Sequence, residues 1–329
     1  MRHSIRWGIL GTGSIAHKFA EGLKAVPDGE LVAVGSRSHL AANTFADEYG
    51  IPQRYGTYES LAAEADIDVV YVSTPHTLHC QNTLLCLNSG KSVLCEKPFA
   101  VNAVEAKTMI QCAREKNLFL MEAMWTRFIP AIIQVRQWLD EDAIGEVRMV
   151  LADFGFRAER NPEDRLFNPA LAGGALMDIG VYEVSLASMV LGQQPSHITA
   201  VADIGSTAVD EQTTMAFRYK TGALGAFSCA VRTNANNEAS ILGDDGRIRI
   251  QSPFWNADRV DLIKSDGTTR SIEPDRSGNG YNYEASEVAR CLRTGLLESP
   301  VLPLDETLAI MQTLDTIRAD INLVFPGEC

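Results

Sequence analysis

Along the first third of the chain, short apolar runs alternate with stretches whose apolar residues recur at helical spacing. Arg6-Trp7-Gly8-Ile9-Leu10 predicts a strand. From Ser14 to Ala25, Ile15, Phe19 and Leu23 mark one helix face. A second strand is expected at Leu31-Val32-Ala33-Val34, then a helix from Leu40 to Tyr49 closed by Gly50 and Pro52. Val69-Val70-Tyr71-Val72 and Ser92-Val93-Leu94-Cys95 read as buried strands flanking a helix from Leu78 to Leu87 that ends near Gly90. Asn102 can cap a further helix with Ala106, Met109, Ile110 and Ala113 on one face, followed by a strand at Leu118-Phe119-Leu120-Met121. Such alternation predicts a parallel, doubly wound α/β sheet of the Rossmann type.

Past Trp125 the pattern changes. A helix over about 130–139 leads to a strand from Val147 to Phe156, a polar loop from Arg157 to Pro169, and a helix from Ala175 to Leu191. Turn signals then follow between strand-like flanks, at Lys220-Thr221-Gly222, Asp244-Asp245-Gly246 and Ser265-Asp266-Gly267. Helices from Tyr283 to Thr294 and Leu304 to Leu323 complete an α+β half with a large, mostly antiparallel open sheet. The expected division is 1–123 for a dinucleotide-binding domain and 124–329 for substrate binding and oligomerisation.

Composition narrows the class. At 46% hydrophobic and 22% charged residues, the 329-residue chain can build real cores, and a formal charge of −13 disfavours a nucleic-acid partner. Met1-Arg2-His3-Ser4-Ile5-Arg6 runs straight into the first strand, so no signal peptide is expected, and no run reads as a membrane span. Seven cysteines, at 80, 86, 95, 112, 229, 291 and 329, show no CxxC pairing and read as reduced thiols of a cytoplasmic protein.

Gly11-Thr12-Gly13-Ser14-Ile15-Ala16 is GxGxxA, set between a strand and a helix. Gly11 permits the tight turn, Gly13 lets the backbone approach a pyrophosphate, and the helix N-terminus offers N–H groups and a positive dipole end. An NAD site usually carries a carboxylate about 20 residues beyond the glycines for the ribose hydroxyls. Here the second strand ends in Gly35-Ser36-Arg37-Ser38, where a guanidinium and two hydroxyls suit a 2′-phosphate; NADP is expected over NAD. Ser73-Thr74-Pro75-His76 forms a polar turn at the same rim, facing the pyrophosphate or nicotinamide ribose, and His79, which opens the next helix, and Glu96, beside Lys97, are counted with it among the cofactor-binding residues. No carboxylate or cysteine partners these histidines, so no metal is expected.

Glu96-Lys97-Pro98 ends the fourth apolar strand, where ligands of parallel sheets gather. An ammonium there can hydrogen-bond a carbinol oxygen and stabilise developing alkoxide. The alternative is a structural Lys–Glu ion pair. In Gly173-Gly174-Ala175-Leu176-Met177-Asp178-Ile179-Gly180-Val181-Tyr182, the helical spacing i, i+4 puts Asp178 and Tyr182 on one face. The phenol can exchange a proton and the carboxylate can orient hydroxyls, or both side chains serve only capping and packing.

Taken together, GTGSIA, the EKP lysine at 96–98 and AGGALMDIGVY at 172–182 resemble the Gfo/Idh/MocA (glucose–fructose oxidoreductase/inositol dehydrogenase) family over essentially the whole chain. Phe119-Leu120-Met121-Glu122-Ala123-Met124-Trp125-Thr126-Arg127-Phe128 resembles its branch of dimeric dihydrodiol dehydrogenases and NADP-dependent xylose dehydrogenases. The resemblance implies a Rossmann domain, NADP(H), a sugar, polyol or dihydrodiol substrate, and a homodimer formed through the C-terminal sheet. It maps the family's lysine to Lys97 and its helix aspartate to Asp178, and it puts Tyr182 where many members carry histidine. Tyr182 is then the proton donor, with Trp125 and Arg127 lining the nicotinamide and substrate end and Arg157 and Arg165 as further cleft candidates. The expected activity is NADP-dependent hydride transfer at a carbinol carbon. Competing readings are redox-neutral chemistry with retained cofactor and a non-catalytic NADP-sensing regulator.

Overall fold

The computed structural model describes residues 4–64 and 66–328. Met1, Arg2, His3 and Cys329 of the sequence reading lie outside the described residues. The chain forms two compact units. One comprises the chain up to Phe128 together with Ser277–Leu308, the other Ile129–Arg276 and the chain from Ala309 onward.

In the first unit six strands form a wholly parallel sheet. They are β1 (Ile5–Leu10), β2 (Gly29–Gly35), β3 (Gln53–Tyr55), β4 (Val69–Val72), β5 (Ser92–Glu96) and β6 (Leu120–Ala123), in the spatial order β3-β2-β1-β4-β5-β6. The order reverses direction between β1 and β4, the switch point at which such sheets bind ligands. Register aligns Leu10 with Gly35 and with Val72, Val72 with Cys95, and Glu96 with Ala123. The fingerprint, Ser36-Arg37, Ser73 and Lys97 therefore leave the sheet along one edge.

The helices lie close to where their periodicity puts them. Ser14–Leu23 buries Phe19 and Leu23, and His39–Tyr49 is capped by Ser38 and closed by Gly50 at φ 68°. Ala103–Lys116 is capped by Asn102 and buries Ala106, Met109, Ile110 and Ala113. β6 begins two residues later than the apolar run suggests. Asn117 turns left-handed (φ 53°) and the Leu118 amide returns to Ala113 O, so the start of the run is spent ending the preceding helix. β3 is too short to show alternation.

A simple cut at 123/124 does not describe this unit, because helix Tyr281–Thr294 packs within it. A Cβ on Gly22 would come within 2.6 Å of Asn279 Oδ1 and 3.0 Å of Tyr281 Cβ, so only glycine allows that approach. Asn279 Nδ2 donates to Lys18 O at 2.7 Å, and Tyr281 stacks on Trp125 with centroids 4.7 Å apart.

The second unit is an eight-stranded sheet of β7 (Val147–Gly155), β8 (His197–Ile204), β9 (Asp210–Arg218), β10 (Leu224–Ala230), β11 (Ala239–Gly243), β12 (Gly246–Ile250), β13 (Val260–Lys264) and β14 (Thr269–Ile272). The three turn signals each close an antiparallel hairpin: β9–β10, β11–β12 and β13–β14. Only β7 and β10 pair parallel. Strict alternation along β9 buries Thr213, Met215 and Phe217 on one face and exposes Thr214, Ala216 and Arg218 on the other. The expected helix from Ala175 to Leu191 begins as a π-helical turn, Leu176–Gly180, and continues as an α-helix, Val181–Leu191. Pro169–Leu191 is the one helical segment among the described residues apolar enough to cross a membrane by length and composition; 83% of its 18-residue apolar stretch is buried, as in a core element.

Candidate active site

The fingerprint turn has the shape a dinucleotide needs. Gly11 sits at φ 107°, and a Cβ there would lie 3.0 Å from Ser73 O, so any side chain would drive β1 and β4 apart. A Cβ on Gly13 would meet nothing within 4 Å, which leaves the approach to the helix N-terminus open. No side chain caps the helix that begins at Ser14, and its first turn, with Ile15, carries no acidic residue. That is the donor set and the clearance a pyrophosphate requires. Thr12 Oγ1 and Ser36 Oγ are 3.2 Å apart, linking the first turn to the end of β2. Beyond Ser36, the Arg37 guanidinium lies near enough to the phenol of Tyr58, a residue the sequence reading did not single out, to act on its ionisation. Burial raises the pKa of Tyr58 while Arg37 opposes the shift. Ser38 accepts from the Ala41 amide at 3.4 Å, so its hydroxyl serves as a helix cap.

The turn after β4 is tied inward. Ser73 and Thr74 are buried; Ser73 Oγ donates to Leu10 O at 3.2 Å, and Thr74 Oγ1 accepts from Asn82 Nδ2 at 3.1 Å. Pro75 precedes a 3₁₀ turn, His76–Leu78, and the rings of His76 and His79 meet edge to face. His79 was expected to touch the cofactor. It is fully buried, with Nδ1 2.8 Å from Pro98 O and Nε2 2.8 Å from Thr74 O. Both nitrogens are thus occupied by backbone carbonyls, and the ring ties the turn after β4 to the turn after β5. Burial lowers its pKa to about 4, so the neutral ring has one N–H to offer the two carbonyls.

Lys97 follows β5, and its peptide bond to Pro98 is cis. Side chains pin this turn at successive backbone atoms. Glu96 Oε2 accepts from the Lys97 amide at 3.1 Å, His79 holds Pro98 O, and Glu122 Oε1 accepts from the Phe99 amide at 3.2 Å. Glu96 is itself buried and accepts a hydrogen bond from the Tyr71 hydroxyl. Burial raises the pKa of Glu122 to about 7. Glu96 is therefore a support beneath the lysine turn rather than an open ligand for the cofactor. Behind it, Glu284 is fully buried with neither carboxyl oxygen hydrogen-bonded among the described residues. Burial and the neighbouring Glu96 hold its pKa well above the carboxylate range. The signal for Glu284 lay in the helix pattern, since an acid stands on the face that also carries Tyr281, Ala285 and Val288.

Trp125 and Arg127 were expected to line a ligand end. Trp125 is buried against Tyr281, and Arg127, 3% exposed, donates to Glu306 Oε1 at 2.6 Å. The arginine belongs to an internal ion pair.

In the second unit, Gly173 and Gly174 let the loop close on itself. A Cβ on Gly173 would lie 2.5 Å from Arg165 O, and one on Gly174 (φ 115°) would lie 2.1 Å from Asp210 Oδ1. Asp210 Oδ2 accepts from the Leu176 amide at 2.8 Å and from Thr213 Oγ1 at 2.7 Å, anchoring the π turn to β9. Asp178, on that turn, is 4% exposed and is gripped by Arg165 through two bonds, Nη1–Oδ1 at 2.6 Å and Nη2–Oδ2 at 3.3 Å. π turns inside helices recur at functional sites. Tyr182 is buried to 7% exposure with its ring 5.6 Å from Phe154, which stacks on Trp255. Arg157 is exposed on the loop after β7. The structure thus joins Asp178 to Arg165 within this unit, while Lys97 belongs to the first.

The described cysteines 80, 86, 95, 112, 229 and 291 are free thiols. Among the described residues no group of three or more His, Cys, Asp and Glu side chains is placed to hold a metal.

Comparison with known proteins matches residues 5–124 to an oxidoreductase family with an NAD-binding Rossmann fold, GFO/IDH/MocA, and residues 132–249 to the C-terminal domain of the same family. The chain is 39% identical to trans-1,2-dihydrobenzene-1,2-diol dehydrogenase of Mus musculus over 336 residues, covering 99% of each. It is 38% identical to the Homo sapiens protein of that name over 334 residues, again covering 99% of each. Among solved structures it is similar to a 3-ketoreductase from Actinomadura kijaniata in complex with NADP and TDP-benzene (26% identity, TM-score 0.87) and to an aldose-aldose oxidoreductase from Caulobacter crescentus (26%, 0.86). Each of these two covers 97% of this chain and 98% of the relative.

Proposed function

The chain belongs to the GFO/IDH/MocA family of oxidoreductases, and from that premise we propose that it is an NADP(H)-dependent enzyme acting at a carbinol or carbonyl carbon of a sugar, polyol or cyclic dihydrodiol. Membership makes it an NAD(P)-dependent dehydrogenase or reductase. The finer assignment rests chiefly on Lys97, which leaves the same sheet edge as the fingerprint on a turn whose backbone is pinned at Lys97 N, Pro98 O and Phe99 N. Such pinning holds an ammonium in place for a reacting oxygen.

When bound, the nicotinamide supplies the hydride donor or acceptor. Gly11, Thr12, Gly13, Ser14 and Ile15 would carry its pyrophosphate at the helix N-terminus. Ser36 and Arg37 favour NADP, because a guanidinium suits a 2′-phosphate and β2 ends without the carboxylate that a ribose diol prefers. In the oxidation direction Tyr182, as the phenolate, takes the carbinol proton and becomes the neutral phenol. Lys97 stabilises negative charge on the oxygen, and Asp178, held by Arg165, orients substrate hydroxyls. In reduction the proton returns from Tyr182.

The relatives' dihydrodiol dehydrogenase and 3-ketoreductase activities both fit this reading. We further propose a homodimer through the face of the second sheet that exposes Thr199, Val201, Ala216 and Leu224, and a cytoplasmic location suited to six free thiols. Aldoses, inositols and cyclic diols assayed by NADPH absorbance, with NAD in parallel, test the activity. Turnover with NADP that Tyr182→Phe and Lys97→Ala reduce far more than NADP binding is the expected result. Near wild-type kcat in either variant rejects the mechanism. Sedimentation as a monomer rejects the dimer.

A further inference from the structure

The end of the second sheet that carries the π turn also gathers three arginines, two of them on one buried carboxylate. Glu211, whose side chain is 2% exposed, receives Arg160 Nη2 at 2.7 and 2.6 Å on its two oxygens and Arg232 Nε at 3.1 Å. Its neighbour Asp210 anchors the Leu176 amide, so the same strand start fixes both the Asp178 turn and this cluster. The pairing of β7 and β10 runs on beyond both strands, through Phe156 N to Ala230 O and Ala158 N to Val231 O, and Val231 N reaches Glu211 O. Arg157 and Arg232 then face each other across an isolated antiparallel bridge.

Like charges directly opposite in a bridge are destabilising, and one carboxylate offsets only one of three guanidinium charges. The exposed loop carboxylates Glu159, Glu163 and Asp164 form no ion pair with these arginines among the described residues. Arg157 has no side-chain partner among them either. Arg160 and Arg232 are 45% and 34% exposed, and Glu211 engages only one nitrogen of each. The remaining N–H groups form a rigidly tethered, outward-facing donor set of the kind that binds carboxylate or phosphate.

Resting on the reading of Tyr182 and Asp178 as substrate-handling residues, we propose that Arg157, Arg160 and Arg232 bind an anionic substituent, carboxylate or phosphate, of the sugar-like substrate. The sugar ring would lie toward Phe154 and Tyr182, with its anionic group on the arginines. The preferred substrate is then a sugar acid or sugar phosphate rather than a neutral sugar or diol.

The test compares D-glucose with D-glucuronate and D-glucose 6-phosphate under NADP or NADPH, in wild type and in Arg157→Gln and Arg160→Gln. Arg157→Gln strands no buried partner, so a folding defect does not cloud it. At least one anionic sugar should exceed glucose about tenfold in kcat/KM, and the two variants should erase that preference through KM while glucose kinetics and NADP affinity hold. The two anionic probes separate a carboxylate site from a phosphate site. Equal use of neutral and anionic sugars by wild type, or equal losses for both in the variants, overturns the inference and leaves the oxidoreductase reading intact. If none of the three sugars turns over, binding of glucuronate and glucose 6-phosphate followed by tryptophan fluorescence decides: affinity for either lost about tenfold in Arg157→Gln supports the site, and unchanged affinity or no binding overturns it.

Discussion

Tyr71 donates its hydroxyl hydrogen to Glu96, the residue immediately before Lys97, from a position wholly inside the first sheet. The bond joins β4 to β5 at the end where the lysine turn begins, and the other Glu96 oxygen holds the Lys97 amide. Tyr71→Phe keeps the ring stacked on Phe19, at 3.8 Å between centroids, and deletes only the donor. A hydrogen bond to a charged acceptor contributes about 1.5–3 kcal/mol, so the variant should lose stability of that order. Urea denaturation measures the loss. Turnover should fall with it while NADP affinity holds, and wild-type stability with wild-type kcat would show that Glu96 does not need the phenol.

Glu284 gives a prediction with a definite sign. Its folded-state pKa stands well above the carboxylate range because of burial and the adjacent Glu96. The unfolded chain therefore releases this proton at a pH where the native protein keeps it. Its contribution to stability is complete below about pH 4.3, the ordinary glutamate value, and is lost as pH rises toward the folded pKa. Glu284→Gln removes the proton and keeps the shape. The variant should gain stability relative to wild type as pH rises from about 5 to 8, measured by urea unfolding at each pH. A constant difference across that range would show that Glu284 is ionised in the native state.

What the sequence disclosed follows from what leaves a local trace. The fingerprint, the Asn102 cap and the three hairpin turns were legible because each depends on residues adjacent in the chain. Lys97 was legible as the polar end of an apolar run. The return of helix Tyr281–Thr294 to the first unit was not, since an amphipathic helix records that it has a partner but not which one. Arg127 and His79 looked like ligand-facing polar groups near the rim. Their partners, Glu306 and the carbonyls of Thr74 and Pro98, are distant or non-adjacent in sequence and invisible to spacing. Tyr58 was missed for the same reason, lying on a helix too short to display a pattern.

Arg37 and Tyr58 should govern cofactor choice together. Arg37→Ala removes the guanidinium proposed to meet the 2′-phosphate, and one or two charge-assisted bonds correspond to a loss of about 10- to 100-fold in the NADP/NAD ratio of kcat/KM. Tyr58→Phe removes the polar phenol beside Arg37 and should cut the ratio by a smaller factor in the same direction. Parallel kinetics with both cofactors measure the effect. A ratio unmoved by Arg37→Ala would assign that arginine to the surface alone.

The Arg165–Asp178 pair closes on a double-mutant cycle. Asp178 is buried and Arg165 is half exposed, with two bonds between them. If Arg165 acts by fixing the carboxylate, Arg165→Ala and Asp178→Asn should each lower kcat/KM, and the double variant should lose less than the sum. A coupling of at least about 0.5 kcal/mol in transition-state stabilisation is expected for residues in direct contact. Arg165→Lys should recover part of the loss but not all, because an ammonium cannot reproduce the bidentate fork. Strict additivity would mean that Arg165 meets the substrate on its own account, and full rescue by lysine would mean that charge alone is required.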